Sequence, residues 1–72
     1  MPYVNIKITR EGGPDGLGPS NAEKHQLIAG VTDLLQTVLG KDPKTTFVVI
    51  DEVPLENWGI SGLPVKTLRQ TK

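Results

Sequence analysis

Residues 20–40, SNAEKHQLIAGVTDLLQTVLG, decide the fold because they carry one long helical pattern between two strand-like segments. Ser20 and Glu23 have the spacing of a capping box, in which each side chain accepts a hydrogen bond from the other residue's backbone N–H. Pro19 bars an earlier start, and Gly40 predicts the C-terminal end. The apolar positions fall on a 3.6-residue repeat and form one stripe, made of Leu27, Ile28, Val31, Leu34, Leu35 and Val38.

Strand patterns lie on both sides of this helix. Residues 3–9, YVNIKIT, alternate apolar and polar side chains, as in a strand with one buried face. After a turn at Asp42 and Pro43, residues 45–50, TTFVVI, end in consecutive apolar positions, which predicts a strand covered on both faces. Strand, helix and strand in this order predict an α/β fold of the α+β kind, built on a single βαβ unit with parallel strands.

Two glycine-containing segments complete the predicted fold. Residues 10–20, REGGPDGLGPS, contain four glycines and two prolines, which predicts a long, turn-rich loop. Their spacing fits neither a P-loop nor a Gly-x-Gly-x-x-Gly motif, so we interpret the loop as a flap near an active site or a plain insertion. Residues 51–65, DEVPLENWGISGLPV, predict a loop and a short C-terminal hairpin around Ile60, Ser61 and Gly62.

The size of the chain predicts an oligomer. Its 72 residues predict one domain, residues 1–72, with a marginal core and no cysteine to staple it. A two-stranded sheet with one helix leaves its edges and one face uncovered. We therefore expect two copies to share a sheet and further copies to cover its other face, giving an assembly larger than a dimer.

Net charge and hydropathy limit the classes of partner that we expect for the chain. Eight basic residues balance eight acidic ones, so the field that attracts nucleic acid is missing. The basic end of the chain, with Lys66, Arg69 and Lys72, is interpreted as a solvated, frayed tail. Nothing resembles a signal peptide or a membrane span, so we expect a cytoplasmic protein with no membrane partner.

Pro2 is the first candidate for chemistry. Inside a peptide a proline nitrogen is inert, but removal of Met1 would turn Pro2 into a secondary amine that can act as a base. An ordinary α-amino group has a pKa of about 7.7 to 8.0, and an apolar pocket lowers that pKa because it disfavours the charged form. Trp58, in the glycine-bounded turn NWGISG, is interpreted either as a wall of such a pocket or as a plug in a core or interface.

The remaining titratable residues are not predicted to be catalytic. His25 has no nucleophile or orienting carboxylate nearby in sequence, so we expect it on the surface of the helix. The acidic residues Asp51, Glu52 and Glu56 are interpreted as solvated residues at a strand end, since a chain of this length offers little cleft for a sugar. No histidine or cysteine cluster predicts a metal site.

Together, MPYVNIKI, SNAEKHQLI, TTFVVIDEV and NWGISG make the chain similar to the 4-oxalocrotonate tautomerase family, the small members of the tautomerase superfamily. The resemblance implies a βαβ protomer in a hexamer of three dimers, with a cofactor-free active site at a subunit boundary. It also implies that the processed Pro2 moves a proton between a carbon next to a carbonyl and a conjugated position of an enol or unsaturated 2-oxo acid. Trp58 corresponds to the family's aromatic residue beside the proline.

The chain departs from the family at its carboxylate-binding positions. The family has an arginine shortly after the first strand, and Arg10 is the nearest match, about two residues early. A second family arginine falls on Phe47, and Lys44 is a partial substitute because an ammonium lacks the bidentate fork of a guanidinium. We therefore expect a monocarboxylate, such as an arylpyruvate enol, more than a dicarboxylate. Two alternatives stay open: a hydratase or dehalogenase that uses protonated proline, and a non-catalytic oligomeric module.

Overall fold

The computed structural model describes residues 1–13 and 15–70 of the chain, and within them the predicted βαβ unit is confirmed. Strand β1 spans Tyr3–Thr9, helix α1 spans Asn21–Leu39 and strand β2 spans Phe47–Val53. β1 and β2 are parallel, with Tyr3 beside Phe47 at one end and Thr9 beside Val53 at the other. The second strand begins at Phe47 and not at Thr45, and it runs three residues beyond the predicted end.

The ends of α1 lie where local side-chain chemistry places them. The Glu23 N–H donates to the Ser20 hydroxyl at 3.1 Å, and the Ser20 N–H donates to the Glu23 carboxylate at 2.8 Å, so the capping box is confirmed. Gly40 ends the helix in the left-handed conformation, with φ of 68°. A 3-10 turn at Pro43–Thr45 follows, where the Asp42 carboxylate accepts from the Lys44 N–H at 2.9 Å. This short turn delivers the chain directly into β2.

The C-terminal part forms the predicted hairpin and one element that was not predicted. Strands β3 (Gly59–Ile60) and β4 (Leu63–Pro64) pair antiparallel after a 3-10 turn at Leu55–Asn57. Helix α2 then spans Val65–Gln70, so the prediction of a frayed tail was wrong for these residues. The Val65 N–H donates to the Trp58 carbonyl at 2.9 Å, and Arg69 pairs with Glu11 of the glycine loop, which together hold α2 in place. Lys72 lies outside the described residues.

The two faces of the β1–β2 sheet have different surroundings. The helix face packs on α1 and carries Val4, Ile6, Ile8, Val48, Ile50 and Glu52; its position is marked by an ion pair of 3.0 Å between Lys24 of α1 and Glu52. The open face carries Tyr3, Asn5, Lys7, Phe47, Val49 and Asp51. Phe47 and Val49 remain 52% and 42% exposed, so within one chain β2 is covered on one face only and not on both as predicted.

The protomer is too thin to have an interior. No hydrophobic side chain among the described residues is fully buried, and Leu34 and Val38 on the apolar stripe of α1 are 59% and 68% exposed. The radius of gyration is 15.4 Å, whereas a compact chain of this length has about 11 Å. The single chain therefore leaves apolar surface uncovered on both the sheet and the helix. Within the described residues, neither helix has the length and apolar character needed to cross a membrane.

Candidate active site

Pro2 lies at the head of β1, where the backbone holds it in place. Its carbonyl oxygen accepts from the Phe47 N–H at 3.0 Å, which continues the β1–β2 ladder by one residue. Pro2 is half-buried, while Met1 is 87% exposed. Loss of Met1 would therefore remove little packing and would leave the Pro2 nitrogen at the start of β1.

Arg10 and Trp58 lie together at the other end of the sheet. The backbone N–H of Arg10 and the indole N–H of Trp58 both donate to the carbonyl oxygen of Val53, at 3.0 and 3.2 Å. The Arg10 guanidinium also donates to the carbonyl oxygen of Glu52 at 3.2 Å, and Arg10 is exposed. Two of the three predicted site residues are therefore neighbours at the end of β2.

One chain does not bring Pro2 to this pair. Pro2 precedes β1 and Arg10 follows it, so the strand separates the two residues by about 26 Å at the usual rise per residue. Lys44, the alternative carboxylate anchor, lies in the turn before Phe47 and thus at the Pro2 end. The predicted residues thus lie at opposite ends of the protomer, and a substrate could contact both groups only where two chains meet.

Two open grooves border the Arg10 and Trp58 end of the protomer. A groove of about 320 Å³ surrounds the Trp58 turn, with Leu63 and Pro64 on its far wall. A larger groove of about 480 Å³ lies between the end of β1, the glycine loop and the first turns of α1, and is lined by Ile8, Thr9, Glu11, Gly13, Pro19, Glu23, Gln26 and Leu27. Pro2 lines neither groove, in keeping with a site that one chain does not complete.

The glycine loop closes on itself beside the larger groove. The Gly18 N–H donates to the Gly12 carbonyl at 3.0 Å, and Gly18 packs against the Glu52 carboxylate that pairs with Lys24. A side chain on Gly13 would overlap the carbonyl oxygen of Gly18, so the neck of the loop requires glycine there. The loop is thus irregular, as predicted, and its neck is closed by a backbone hydrogen bond beside Glu52 of β2.

Asp51 and Glu52 are not a pair of catalytic acids. As consecutive strand residues they point to opposite faces, where Glu52 meets Lys24 and Asp51 accepts from Lys7 and Asn5, each at 2.9 Å. These hydrogen bonds, from Lys7 first and then Asn5, hold the pKa of Asp51 below its ordinary value. The expectation of simple solvation at the strand end therefore gives way to an ion pair on each face.

Other residues fall as expected or were missed. His25 is exposed on α1, as predicted. The pairing of Tyr3 with Phe47 was missed, since aligning the first residues of the two predicted strands would set Tyr3 beside Thr45. The bond between Arg69 and Glu11, at 2.9 Å, joins residues so far apart in sequence that no local pattern predicts it.

Known proteins share this architecture and much of this sequence. The family model described as "Tautomerase enzyme" matches residues 2–68. A probable tautomerase of Dickeya dadantii is 53% identical, over 97% of this chain and 96% of its own length. A 2-hydroxymuconate tautomerase of Pseudomonas putida is 39% identical, over 94% and 97%. The crystal structure of DmpI from Helicobacter pylori superposes with a TM-score of 0.82 at 45% identity, covering 99% of this chain and all of the other.

Proposed function

Because this chain belongs to the 4-oxalocrotonate tautomerase family and is an isomerase of the tautomerase type, we propose that it is a cofactor-independent keto–enol tautomerase with processed Pro2 as its general base. Its substrate is the enol of a 2-oxo acid with one carboxylate. The whole chain, residues 1–72, acts as one domain in this proposal. The supporting observation is the position of Pro2, whose carbonyl accepts from the Phe47 N–H and so holds the residue at the start of β1.

The proposed reaction is a proton transfer within one substrate. The neutral nitrogen of Pro2 takes the proton of the enol hydroxyl, and the resulting ammonium delivers a proton to the conjugated carbon. One O–H bond breaks and one C–H bond forms, so the substrate is isomerised without net oxidation or loss of atoms. Positioned acid–base groups of this kind contribute about 10²- to 10⁴-fold in rate.

The second half of the site comes from a neighbouring chain in this proposal. Arg10 lies about 26 Å from Pro2 of its own chain, and Trp58 lies at the same end of the sheet as Arg10, because both donate to the Val53 carbonyl. Arg10 of a neighbour anchors the substrate carboxylate, and Trp58 of that neighbour forms the apolar wall that keeps the amine neutral. We propose a homo-oligomer, a hexamer built from three dimers, as the form that brings these halves together.

The experiment compares two forms of the N-terminus. Intact mass identifies protein that has lost Met1, and a second preparation carries one added residue on the Pro2 nitrogen, which makes that nitrogen an amide. The processed form should convert phenylpyruvate enol, and the extended form should lose at least about a hundredfold in kcat/KM. Equal activity of the two forms would overturn the assignment of Pro2. Pro2→Ala is a weaker control, because alanine also offers a terminal amine.

A further inference from the structure

We infer that Arg69 keeps the guanidinium of Arg10 available for the substrate carboxylate, because it neutralises the neighbouring carboxylate of Glu11. The inference rests on the proposed function, since it assigns Arg69 as a positioning residue for the Arg10 anchor. It gives helix α2, which has no part in the proposed proton transfer, a part in substrate binding.

Helix α2 connects the two residues proposed to bind the substrate. At its first residue, the Val65 N–H donates to the Trp58 carbonyl at 2.9 Å. Near its other end, Nη1 of Arg69 donates to both carboxylate oxygens of Glu11, at 2.9 and 3.0 Å. Glu11 directly follows Arg10 in the chain, so α2 runs from the backbone of Trp58 to the residue next to the proposed anchor.

The Arg10 guanidinium has no counterion within the described part of the chain. It donates to the carbonyl oxygen of Glu52, a neutral acceptor, at 3.2 Å. Among residues 1–13 and 15–70, Arg10 forms no ion pair. Its positive charge is therefore free to attract an anion, and a guanidinium binds a carboxylate through charge-assisted hydrogen bonds.

Two acidic residues adjoin Arg10, and each has a cation of its own. Glu52, whose carbonyl accepts from Arg10, pairs through its carboxylate with Lys24 at 3.0 Å. Glu11 pairs with Arg69 at 2.9 Å. Consecutive Cα atoms are about 3.8 Å apart, so the side chains of Arg10 and Glu11 can approach within the Debye length of about 8 Å. An unpaired Glu11 carboxylate would therefore compete for Arg10 and repel an anionic substrate.

The exposure of the Arg69–Glu11 pair makes this role testable. The two side chains are 53% and 37% exposed. Ion pairs with this exposure contribute little to the free energy of unfolding, because water screens them. Removal of Arg69 is therefore expected to leave the βαβ unit folded, so that its effect on substrate binding can be measured.

The main test is Arg69→Met, with kcat and KM measured on phenylpyruvate enol and on its methyl ester. KM for the acid should rise about three- to tenfold while kcat changes less than about twofold, since the variant alters one charged contact of the anchor. The ester has no carboxylate, so its KM should stay within about twofold. Lys66→Met is the matched control, because it removes the same charge from an exposed position of the same helix, and it should leave KM for the acid unchanged.

A second substitution distinguishes neutralisation of charge from a purely structural bond. In the double variant with Arg69→Met and Glu11→Gln, KM for the acid should return to within about twofold of the unsubstituted value, because the carboxylate that Arg69 neutralises is gone. If Arg69 served only to hold α2, or bound the substrate directly, the added Glu11→Gln would not restore KM. Arg69→Lys keeps the positive charge and should also stay within about twofold.

The outcomes separate the inference from the proposed function. An unchanged KM in Arg69→Met, an equal rise in Lys66→Met, an equal rise for the ester, or a double variant that does not recover would each overturn the inference and leave the tautomerase proposal intact. Failure of the unsubstituted enzyme to convert phenylpyruvate enol would instead overturn the proposed function. If Arg69→Met does not fold, Arg69→Gln removes the same charge but keeps a hydrogen-bond donor, and the same set of KM values decides.

Discussion

Arg10 and Trp58 are tied to the same atom, the carbonyl oxygen of Val53, through a backbone N–H and an indole N–H. A guanidinium and a large aromatic ring are thereby held next to each other at the end of β2. Pro2 lies at the opposite end of β1, so the three residues proposed for the site are divided between the two ends of the protomer.

This division predicts complementation between two inactive chains. One carries Arg10→Ala and Trp58→Ala with a processed Pro2, and the other is extended at Pro2 with Arg10 and Trp58 intact. Each alone should have little activity, whereas refolding them together should restore a measurable fraction, because mixed assemblies contain some complete sites. Activity is followed on phenylpyruvate enol, and native mass spectrometry verifies that mixed assemblies form. Mixed assemblies without recovered activity would show that the site is not shared.

The pH dependence of kcat/KM distinguishes the two proposed uses of the proline nitrogen. Base catalysis requires the neutral amine, so kcat/KM should rise with pH and level off above the pKa of that amine. Hydration assisted by protonated proline requires the cation, so its rate should fall over the same range. Measurement on one substrate that does not titrate in this range decides between them.

The Asp51 carboxylate is expected to make the free energy of unfolding depend on pH in the acid range. The pKa of Asp51 is lowered in the folded state, so ionised Asp51 stabilises the fold at pH values above its ordinary pKa of 3.8. This contribution is lost as the pH falls through the folded-state pKa. The stability difference between the unsubstituted protein and Asp51→Asn should therefore shrink from pH 6 toward pH 2, measured by urea unfolding. Lys7→Met removes the largest cause and should give the same narrowing. A difference that stays constant with pH would contradict the role of this bond.

The neck of the glycine loop can be tested with two alanine substitutions. Gly13 and Gly16 share a φ of +73°, but only a side chain on Gly13 would overlap the backbone of Gly18. Both variants should lose about 1 kcal/mol for the left-handed conformation, and Gly13→Ala should lose at least about 1 kcal/mol more. Urea midpoints measure both losses, and equal losses would show that the neck opens without cost.

The parts of the fold that depend on neighbouring residues could be predicted from the sequence. Ser20, Glu23 and Gly40 act within one turn of the helix ends, so their chemistry is visible locally. Alternation in residues 3–9 predicted the helix face of β1 for the same reason. The hairpin at Ser61 followed from the flanking glycines.

The parts that depend on distant contacts could not be predicted in this way. Helix α2 is held by a bond from Arg69 to Glu11 across most of the chain, and its short sequence carries no cap that would announce it. Asp51 and Glu52 lie beyond the predicted end of the second strand, and their partners Lys7 and Lys24 lie on other elements. Predicting that the proposed site is divided between chains would have required knowing at which end of the sheet each residue lies.

The absence of any fully buried hydrophobic side chain among the described residues has a consequence for handling the protein. When a fold draws its apolar burial from neighbouring copies, unfolding and dissociation are one equilibrium, and mass action governs both. Dilution then acts as a mild denaturant. A catalyst of this kind should lose specific activity in the nanomolar solutions used for rapid assays, and regain it when it is concentrated.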